Sequence, residues 1–286
     1  MFRPVTVGID GSAASLAAAS WAAHEAELRK TRLHLVSSRA WPVAARGEVG
    51  QAGEQERWAR RSLTLAQDRL RSRHPDLPIT DASVAAPPQE ALLAEGADAQ
   101  LLVLGSRGIG SPSRAAVGST GMRTAAEASF PLALLRPEAA SALCSARPVL
   151  LALDARRLAD EVIAFAFEEA ACRGVALHVR YAWGPGAVSI RYPAAPRPDL
   201  LASQARREAA RLSAALHPWR DKWPAVRVVE DCLPETGAAA VVAGGATACL
   251  AVLGHRMRPR GGARLGPVAQ AVLHVAAFPV VLVPHI

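Results

Sequence analysis

The feature that most constrains the fold is that the chain repeats itself. Val5–Asp10 and Val149–Asp154 are both apolar stretches that end in aspartate, and the two aspartates lie 144 residues apart. Phe130-Pro131 and Phe278-Pro279 open two further matching apolar stretches, 148 residues apart. A self-similarity that returns at nearly the same offset at both ends predicts two copies of one fold in tandem.

Within each copy, short apolar stretches alternate with helical stretches. Strands are predicted at residues 5–10, 33–37, 79–84, 101–104 and 131–137 and, in the second copy, at 149–154, 177–183, 226–229, 249–254 and 278–284. Helices are predicted at 13–30, 54–73, 89–95, 119–129, 198–216 and 236–243. Such alternation predicts an α/β fold with a parallel sheet. We therefore expect two tandem open five-stranded parallel sheets, Rossmann-like and with helices on both faces, in domains of residues 1–138 and 147–286.

Two local patterns make finer predictions. In the first helix Leu16, Ala19, Ala23 and Ala26 form a thin apolar stripe, and Ser12 is the predicted N-cap. The alanine- and serine-rich residues 138–147 are predicted to be a linker between the domains.

The composition limits the classes of protein. The 286 residues are 51% hydrophobic and 20% charged, which indicates a globular chain with a substantial core. No apolar run is long enough for a membrane span and no signal peptide is visible at the N-terminus, so a cytoplasmic location is expected. The net charge is +8, but the arginines lie beside glutamates on helix faces without a nucleic-acid motif, so binding to nucleic acid is not expected.

The cysteines and histidines do not indicate a metal site. The four cysteines, Cys144, Cys172, Cys232 and Cys249, are widely spaced and form no C-x-x-C pair, which predicts reduced and mostly buried thiols. The eight histidines show no ligand spacing either.

One glycine-rich loop has the pattern of a phosphate-binding site. The apolar run Leu101–Leu104 predicts a buried strand, and it breaks into a loop with glycines at 105, 108 and 110. Helical spacing resumes after Gly118, Ser119 and Thr120, where free N–H groups and the helix dipole favour an anion. A P-loop is excluded because no lysine is present in the segment, and the glycine spacing is not that of a dinucleotide fold. The alternative is that these glycines serve only a strand-to-helix turn.

The spacing Gly105-x2-Gly108-x9-Gly118-Ser119 resembles the ATP-binding signature of the universal stress protein family. Each copy is similar to one domain of that family, an adenine nucleotide alpha hydrolase-like fold that also occurs as a tandem form. The resemblance implies that ATP is the ligand, at the carboxyl ends of the strands, and it leaves open whether Mg²⁺ accompanies it. The residues that it places at the nucleotide are Asp10, Val36, Gly105, Arg107, Gly108, Gly118, Ser119 and Thr120.

Each of these residues has an assigned part and a plainer explanation. Asp10 would line the nucleotide pocket or simply order a turn, and Val36 would contact adenine or simply fill a strand. The backbone at Gly105 and Gly108 would pass close to the phosphates. Ser119 and Thr120 would offer N–H groups and hydroxyls to phosphate, or would only cap the helix. Arg107 and Arg114 in the loop are further candidate phosphate partners.

The second copy departs from the signature. Gly254 is retained, but Met257 replaces the second glycine and the loop is one residue shorter before Gly266-Pro267. Proline has no N–H to offer a phosphate. We expect the second domain to bind ATP weakly or not at all, although Arg256, Arg258, Arg260 and Arg264 would attract an anion electrostatically.

The last strand of each copy is flanked by proline. In the family this strand pairs domains edge to edge, so we expect contact between the two halves there. Pro137 and Pro284 themselves are expected to end their strands. The resemblance is also compatible with a homodimer and with an unidentified regulatory protein partner.

Three functions follow as hypotheses. The first is an ATP-binding stress-response regulator with little or no hydrolysis, because no general base or arginine finger is identifiable near the loop. The second is a slow ATPase or nucleotide-transferring enzyme on the same fold. The third is a nucleotide-free protein-interaction module.

Overall fold

Each half of the chain is an alternating strand and helix unit, as predicted. The computed structural model describes residues 3–40, 52–106, 118–140, 146–184, 198–257 and 264–286. The first half contains β1 (Val5–Gly8), α1 (Ala13–Leu28), β2 (Leu33–Ser38), α2 (Ala52–Arg71), β3 (Ile79–Val84), α3 (Pro88–Ala97), β4 (Leu101–Gly105), α4 (Ser119–Glu127), β5 (Leu132–Leu135) and α5 (Pro137–Ala140). The second contains β6 (Val149–Ala152), α6 (Asp160–Arg173), β7 (Leu177–Ala182), α7 (Pro198–Lys222), β8 (Val228–Leu233), α8 (Gly237–Gly245), β9 (Leu250–Arg256), α9 (Pro267–Val275) and β10 (Val280–His285).

The two halves share one strand order. The first runs β3-β2-β1-β4-β5 and the second β8-β7-β6-β9-β10, and the strands within each half are parallel. The central strands are buried on both faces, which explains their continuous apolar sequences. Since the chain reverses its order at β1 and at β6, a crevice is expected at the carboxyl ends of these strands.

The halves join through their last strands. β5 and β10 pair antiparallel, with Val280 opposite Leu134 and Leu282 opposite Leu132. The expected contact between the halves is therefore confirmed, and the sheet is continuous over ten strands. Because β5 and β10 use each other's edges, a homodimer would have to form through another surface.

Pro284 does not end its strand, contrary to expectation. It lies within β10, opposite His255 of β9. Only Val280–Leu282 of β10 pairs with β5. At Pro284 the side of β10 that faces away from β9 is therefore unpaired, and the sheet loses no hydrogen bond through the missing N–H of proline. Pro137, by contrast, follows the end of β5 and begins α5. The linker predicted from residue 138 therefore starts as a short helix, and residues 141–145 lie outside the described residues.

Helix α1 is buried more widely than its thin apolar stripe predicts. Ala18, Trp21 and Ala22 are buried together with the predicted Ala19, Ala23 and Ala26, whereas Leu16 is only partly buried. Ser12 is the N-cap, as predicted, and its Oγ accepts a hydrogen bond from Ser15 N. The wide buried surface arises because α1 packs against its own sheet and against the second half.

Helix α7 and strand β8 end later than predicted. α7 continues through Pro218 to Lys222, because the ring of Trp219 stacks on Phe167 of α6 with 6.1 Å between ring centroids. β8 extends to Leu233 and is half-exposed along its length, since it is an edge strand. Its acidic residues Glu230 and Asp231 interrupt the apolar pattern, and both form ion pairs with arginine.

A buried ring of charges lies between the halves. Glu25 of α1 and Glu169 of α6 are buried, with side chains 0% and 3% exposed. Arg29, directly after α1, contacts Glu169, and Arg173 of α6 contacts Glu25. Within the second half, Arg173 Nη1 lies 2.7 Å from Glu169 Oε2. We call these four residues the charge ring, and the sequence analysis did not identify it.

Two matched glycines make room for two matched phenylalanines. A Cβ on Gly96 of α3 would lie 2.3 Å from Phe130 Cζ, and a Cβ on Gly245 of α8 would lie 2.0 Å from Phe278 Cζ. Both rings are buried in one apolar cluster that spans the halves. The helices can approach the sheet there only because these positions have no side chain.

Gly96→Ala should therefore lower the free energy of unfolding by about 1–3 kcal/mol, because a buried ring must move to accommodate the methyl group. Denaturation in urea measures this loss. Gly53→Ala is the control, since Gly53 is also helical but exposed, and its Cβ would meet only the end of Arg57 at 3.5 Å. We expect Gly53→Ala to be neutral or stabilising. Equal effects of the two substitutions would contradict the packing argument.

Candidate functional site

The first half brings most of its predicted site residues to one edge of the sheet. Asp10 follows β1, Val36 lies in the last part of β2, and Gly105 ends β4. The hydrogen bond from Ile9 N to Val36 O, 2.7 Å long, joins the first two strands directly beside Asp10. The predicted residues Arg107 and Gly108, and the candidate Arg114, lie outside the described residues.

Asp10 is buried and holds the turn into α1. Its Oδ1 accepts hydrogen bonds from Ser12 N at 3.0 Å and from Ser12 Oγ at 2.5 Å. Gly11 between them has φ +74°, a left-handed conformation that favours glycine. A Cβ there would lie 2.8 Å from Ser62 Oγ of α2. The aspartate thus has the turn-ordering role that its position alone suggested, in a site closed by α2.

Gly105 allows β4 to approach the start of α1. A Cβ at this position would lie 2.7 Å from the backbone carbon of Ala14 and 3.0 Å from Ser15 N. Backbone atoms cannot move aside as a flexible side chain can, so this glycine is required for packing whether or not a ligand is present. The strand end, the α1 start and Asp10 are held together in this way.

The start of α4 is fixed against the end of β4. Gly118 N donates a 2.7 Å hydrogen bond to Ser106 O, and Gly118 is the N-cap residue of α4. Among the described residues, no side-chain hydrogen bond caps this helix. The alternative that Ser119 and Thr120 serve as the helix cap is therefore wrong, because both lie inside the first turn. An uncapped helix start has N–H groups for an anion.

Ser106 is a candidate site residue that the sequence analysis missed. It directly follows β4 and is 4% exposed, and its Oγ has no hydrogen-bond partner among the described residues. A buried hydroxyl without a partner is costly, so its place between β4 and α4 points to a ligand atom or a water. Its position between Gly105 and Arg107 was the only signal in the sequence.

Val36 is 1% exposed and lies in β2, opposite Gly8 of β1. Its burial agrees with the plain explanation of a strand residue, and the structure adds no contact that requires a ligand.

The corresponding edge of the second half is built differently. Asp154 is exposed, unlike Asp10, and its Oδ1 accepts from Arg156 N at 3.0 Å. Arg156 Nη2 donates to Glu208 Oε1 at 2.7 Å, and Tyr181 Oη donates to Glu208 Oε2 at 2.9 Å. Burial raises the pKa of Tyr181 to about 12, and the hydrogen bond to Glu208 adds to the effect. The Arg156 hydrogen bond in turn lowers the pKa of Glu208. These polar groups of the second half thus bind one another at this edge.

Three of the four cysteines lie within the described ranges. Cys172, Cys232 and Cys249 are free thiols, and the expectation of burial holds for Cys249 but is wrong for Cys172 and Cys232. Cys144 lies outside the described residues. The described part of the chain contains no group of three or more His, Cys, Asp or Glu side chains that could hold a metal ion. In the same ranges, no helix combines the length and apolar character that a membrane span needs.

The fold defines a tandem α/β protein whose parallel strands end, in each half, at a crevice beside helix starts. Comparisons with known proteins agree. The model of the universal stress protein family matches residues 1–136 and 145–284, and the chain belongs to this family. A universal stress protein of Mycobacterium tuberculosis is 30% identical over 288 residues, which cover 97% of this chain and 96% of that protein.

Further relatives extend the comparison. A universal stress protein of Mycolicibacterium smegmatis is 30% identical over 292 residues, which cover 98% of this chain and 96% of that protein. The crystal structure of a universal stress protein from Archaeoglobus fulgidus has a TM-score of 0.68 at 14% identity, and it covers 99% of this chain and 98% of that one. The predicted α/β fold and the family resemblance are thus confirmed.

Proposed function

We propose that the first half binds ATP at the ends of β1, β2 and β4, and that the protein is a nucleotide-dependent regulator of the stress response with little or no hydrolysis. The observation that carries the proposal is the start of α4, which no described side chain caps and which the hydrogen bond from Gly118 N to Ser106 O fixes beside the end of β4. A helix start with free N–H groups is suited to phosphate.

The residues of this edge divide into two groups by chemistry. Ser119 and Thr120 in the first turn of α4 would hold phosphate oxygens through N–H groups and hydroxyls, and the unpartnered Ser106 Oγ would add a third hydroxyl. Asp10 and Val36, at the ends of β1 and β2, would meet the nucleoside. The negative phosphates of ATP would lie at the hydroxyls of the α4 start, and its nucleoside, with a planar aromatic base, would lie at the ends of β1 and β2.

Little hydrolysis is proposed because Asp10, the carboxylate that follows β1 at this edge, is already engaged. Asp10 Oδ1 accepts two hydrogen bonds from Ser12, which assigns it to the turn. Efficient phosphoryl transfer requires groups that orient the attacking water and neutralise the transition state. An assay for phosphate release tests this point, and turnover well above background would favour the enzyme hypothesis.

Ser119→Pro should weaken ATP binding at least about tenfold, because it removes one N–H and one hydroxyl from the helix start. The helix itself should tolerate proline, since this is its first residue and Gly118 already has φ −60° and ψ 151°. The second half shows the same arrangement, with Gly266 at φ −63° and ψ 157° before Pro267. Calorimetric titration of the full chain with ATP and magnesium measures the effect.

Two controls accompany this substitution. Ser119→Ala removes only the hydroxyl and should lose less affinity, and Pro267→Ser makes the reciprocal change in the second half and should leave the first-half affinity unchanged. Unaltered ATP affinity in the Ser119→Pro chain would refute the first-half site. Mass spectrometry of small molecules released on acid denaturation separates nucleotide binding from the interaction-module hypothesis.

A further inference from the structure

The second half contains a large cleft at the edge where the first half has its proposed ATP site. The cavity measures about 530 Å³ and lies at the carboxyl ends of β6, β7 and β9. The first turns of α8 and α9 form its sides, through residues such as Gly237 and Gly266. No described side chain fills this space, so it can accept a ligand.

The lining of the cleft is strongly positive. Arg157, Arg180, Arg256 and Arg264 line it, and Asp154 is the single acidic residue among the described lining residues. Arg157, Arg256 and Arg264 are exposed, and within the described residues none of the three has an acidic partner within 4.0 Å. Their charges therefore add in the cleft, and a concave surface concentrates such a field.

Arg180 replaces the apolar wall of the first half with a charge. It occupies the register position of Val36, since Ala152 is opposite Arg180 as Gly8 is opposite Val36. Its guanidinium is fixed by Ala240 O at 2.9 Å and by Asp231 Oδ2 at 3.3 Å. A guanidinium suits phosphate oxygens, whereas pockets for planar bases are mostly apolar.

The backbone at this edge contributes less than in the first half. Within the described residues α9 starts without a side-chain cap, but its first residue is Pro267, which has no N–H. The arginine side chains therefore supply most of the attraction. Several guanidinium groups around one cavity favour a ligand with several phosphate groups close together.

We propose that this cleft binds a compact polyphosphate anion through its arginines, without a nucleoside. The ligand class is a small molecule or inorganic chain with three or more negative charges on adjacent phosphate groups. The inference does not depend on ATP binding in the first half, because it uses only residues of the second.

Titration of the full chain with inorganic tripolyphosphate tests the proposal. Arg157→Gln with Arg264→Gln should weaken binding at least about tenfold, since two charge-assisted contacts are lost. The matched control is Arg71→Gln with Arg227→Gln, which removes the same charge from two exposed arginines outside the cleft. It should change the affinity by no more than about twofold. Equal losses in the two chains would overturn the proposal, because they would show only non-specific attraction to the net charge.

A second titration tests the ligand class. In the Ser119→Pro chain, adenosine should not compete with tripolyphosphate, and ATP should bind no more tightly than tripolyphosphate. Competition by adenosine would overturn the proposal, because it would show a nucleoside site. If ATP affinity survives Ser119→Pro and is lost only with Arg157→Gln and Arg264→Gln, the proposal of an ATP site in the first half fails. If ATP also binds the second-half cleft more tightly than tripolyphosphate does, the polyphosphate proposal is overturned as well.

Discussion

Replacing Glu169 by alanine should lower the free energy of unfolding by about 3–5 kcal/mol, the cost expected when one partner of a buried ion pair is removed. Glu169 contacts Arg173 at 2.7 Å and also contacts Arg29 from the first half. Without it, two guanidinium groups of the charge ring have only Glu25 to balance them. Equilibrium denaturation of the full chain in urea measures the loss.

The neighbouring residue provides a matched control. Glu168 is in the same helix but exposed, so Glu168→Ala should change the free energy of unfolding by no more than about 0.5 kcal/mol. Above about pH 7, where Glu25 is ionised as well, Glu25→Ala should resemble Glu169→Ala, because Glu25 has the same place in the first half. A loss at Glu169 no larger than that at Glu168 would contradict the assignment of a buried charge ring between the halves.

Replacing all four ring residues by apolar residues of similar volume separates two causes of this loss. A buried ion pair often contributes little beyond an apolar equivalent, because desolvation offsets the attraction. We therefore expect the fully apolar chain to be more stable than the Glu169→Ala chain. That result would show that the stability lost in the Glu169→Ala chain comes from unpaired charge and not from lost packing.

The strand positions were predictable because burial on both faces gives an unbroken apolar pattern. Leu101–Leu104 is such a case, and it becomes a central strand. β8 was predicted too short because an edge strand is half-exposed and can contain Glu230 and Asp231. Local sequence also could not show that α7 continues past Pro218, since a contact with another helix holds its last turn.

The charge ring was present in the sequence but required the tandem alignment to be recognised. Glu25 and Arg29 are four residues apart, and so are Glu169 and Arg173, at the same offset of 144 residues as Asp10 and Asp154. A glutamate and arginine pair on an alanine-rich helix is normally a solvated pair. Only the packing of α1 against α6 shows that these four charges are buried.

For the candidate site, the sequence predicted the position of the α4 start but not the contacts around it. The glycine and hydroxyl pattern around Gly118 and Ser119 placed a helix start at the end of β4, where the structure has it. The packing of Gly105 on the α1 backbone and the unpartnered Ser106 hydroxyl depend on contacts between segments distant in the chain. Spacing within one segment cannot predict such contacts.

The stability of the chain should also depend on pH through Glu25. Burial, and then repulsion from Glu169, raise the pKa of Glu25 to about 7, while Arg173 and Arg29 partly oppose this rise. In the unfolded chain the same carboxyl has a pKa near 4.5. Between these values the folded state retains a proton that the unfolded state has released, so the free energy of unfolding should fall as pH rises from about 4.5 to about 7. The gap between the two pKa values corresponds to at most roughly 3 kcal/mol.

Comparison with Glu25→Gln isolates this contribution, because glutamine resembles the protonated carboxyl and does not titrate. The fall in stability between pH 4.5 and 7 should be smaller in the Glu25→Gln chain, whereas Glu168→Gln, at the exposed neighbour of Glu169, should leave it unchanged. Burial also lowers the pKa of the nearby His24. It is present in all three chains, so its effect cancels in the comparison to first order. The prediction is refuted if the free energy of unfolding changes with pH equally in the wild-type and Glu25→Gln chains. That result would mean that both carboxylates of the charge ring stay ionised, each neutralised by an arginine.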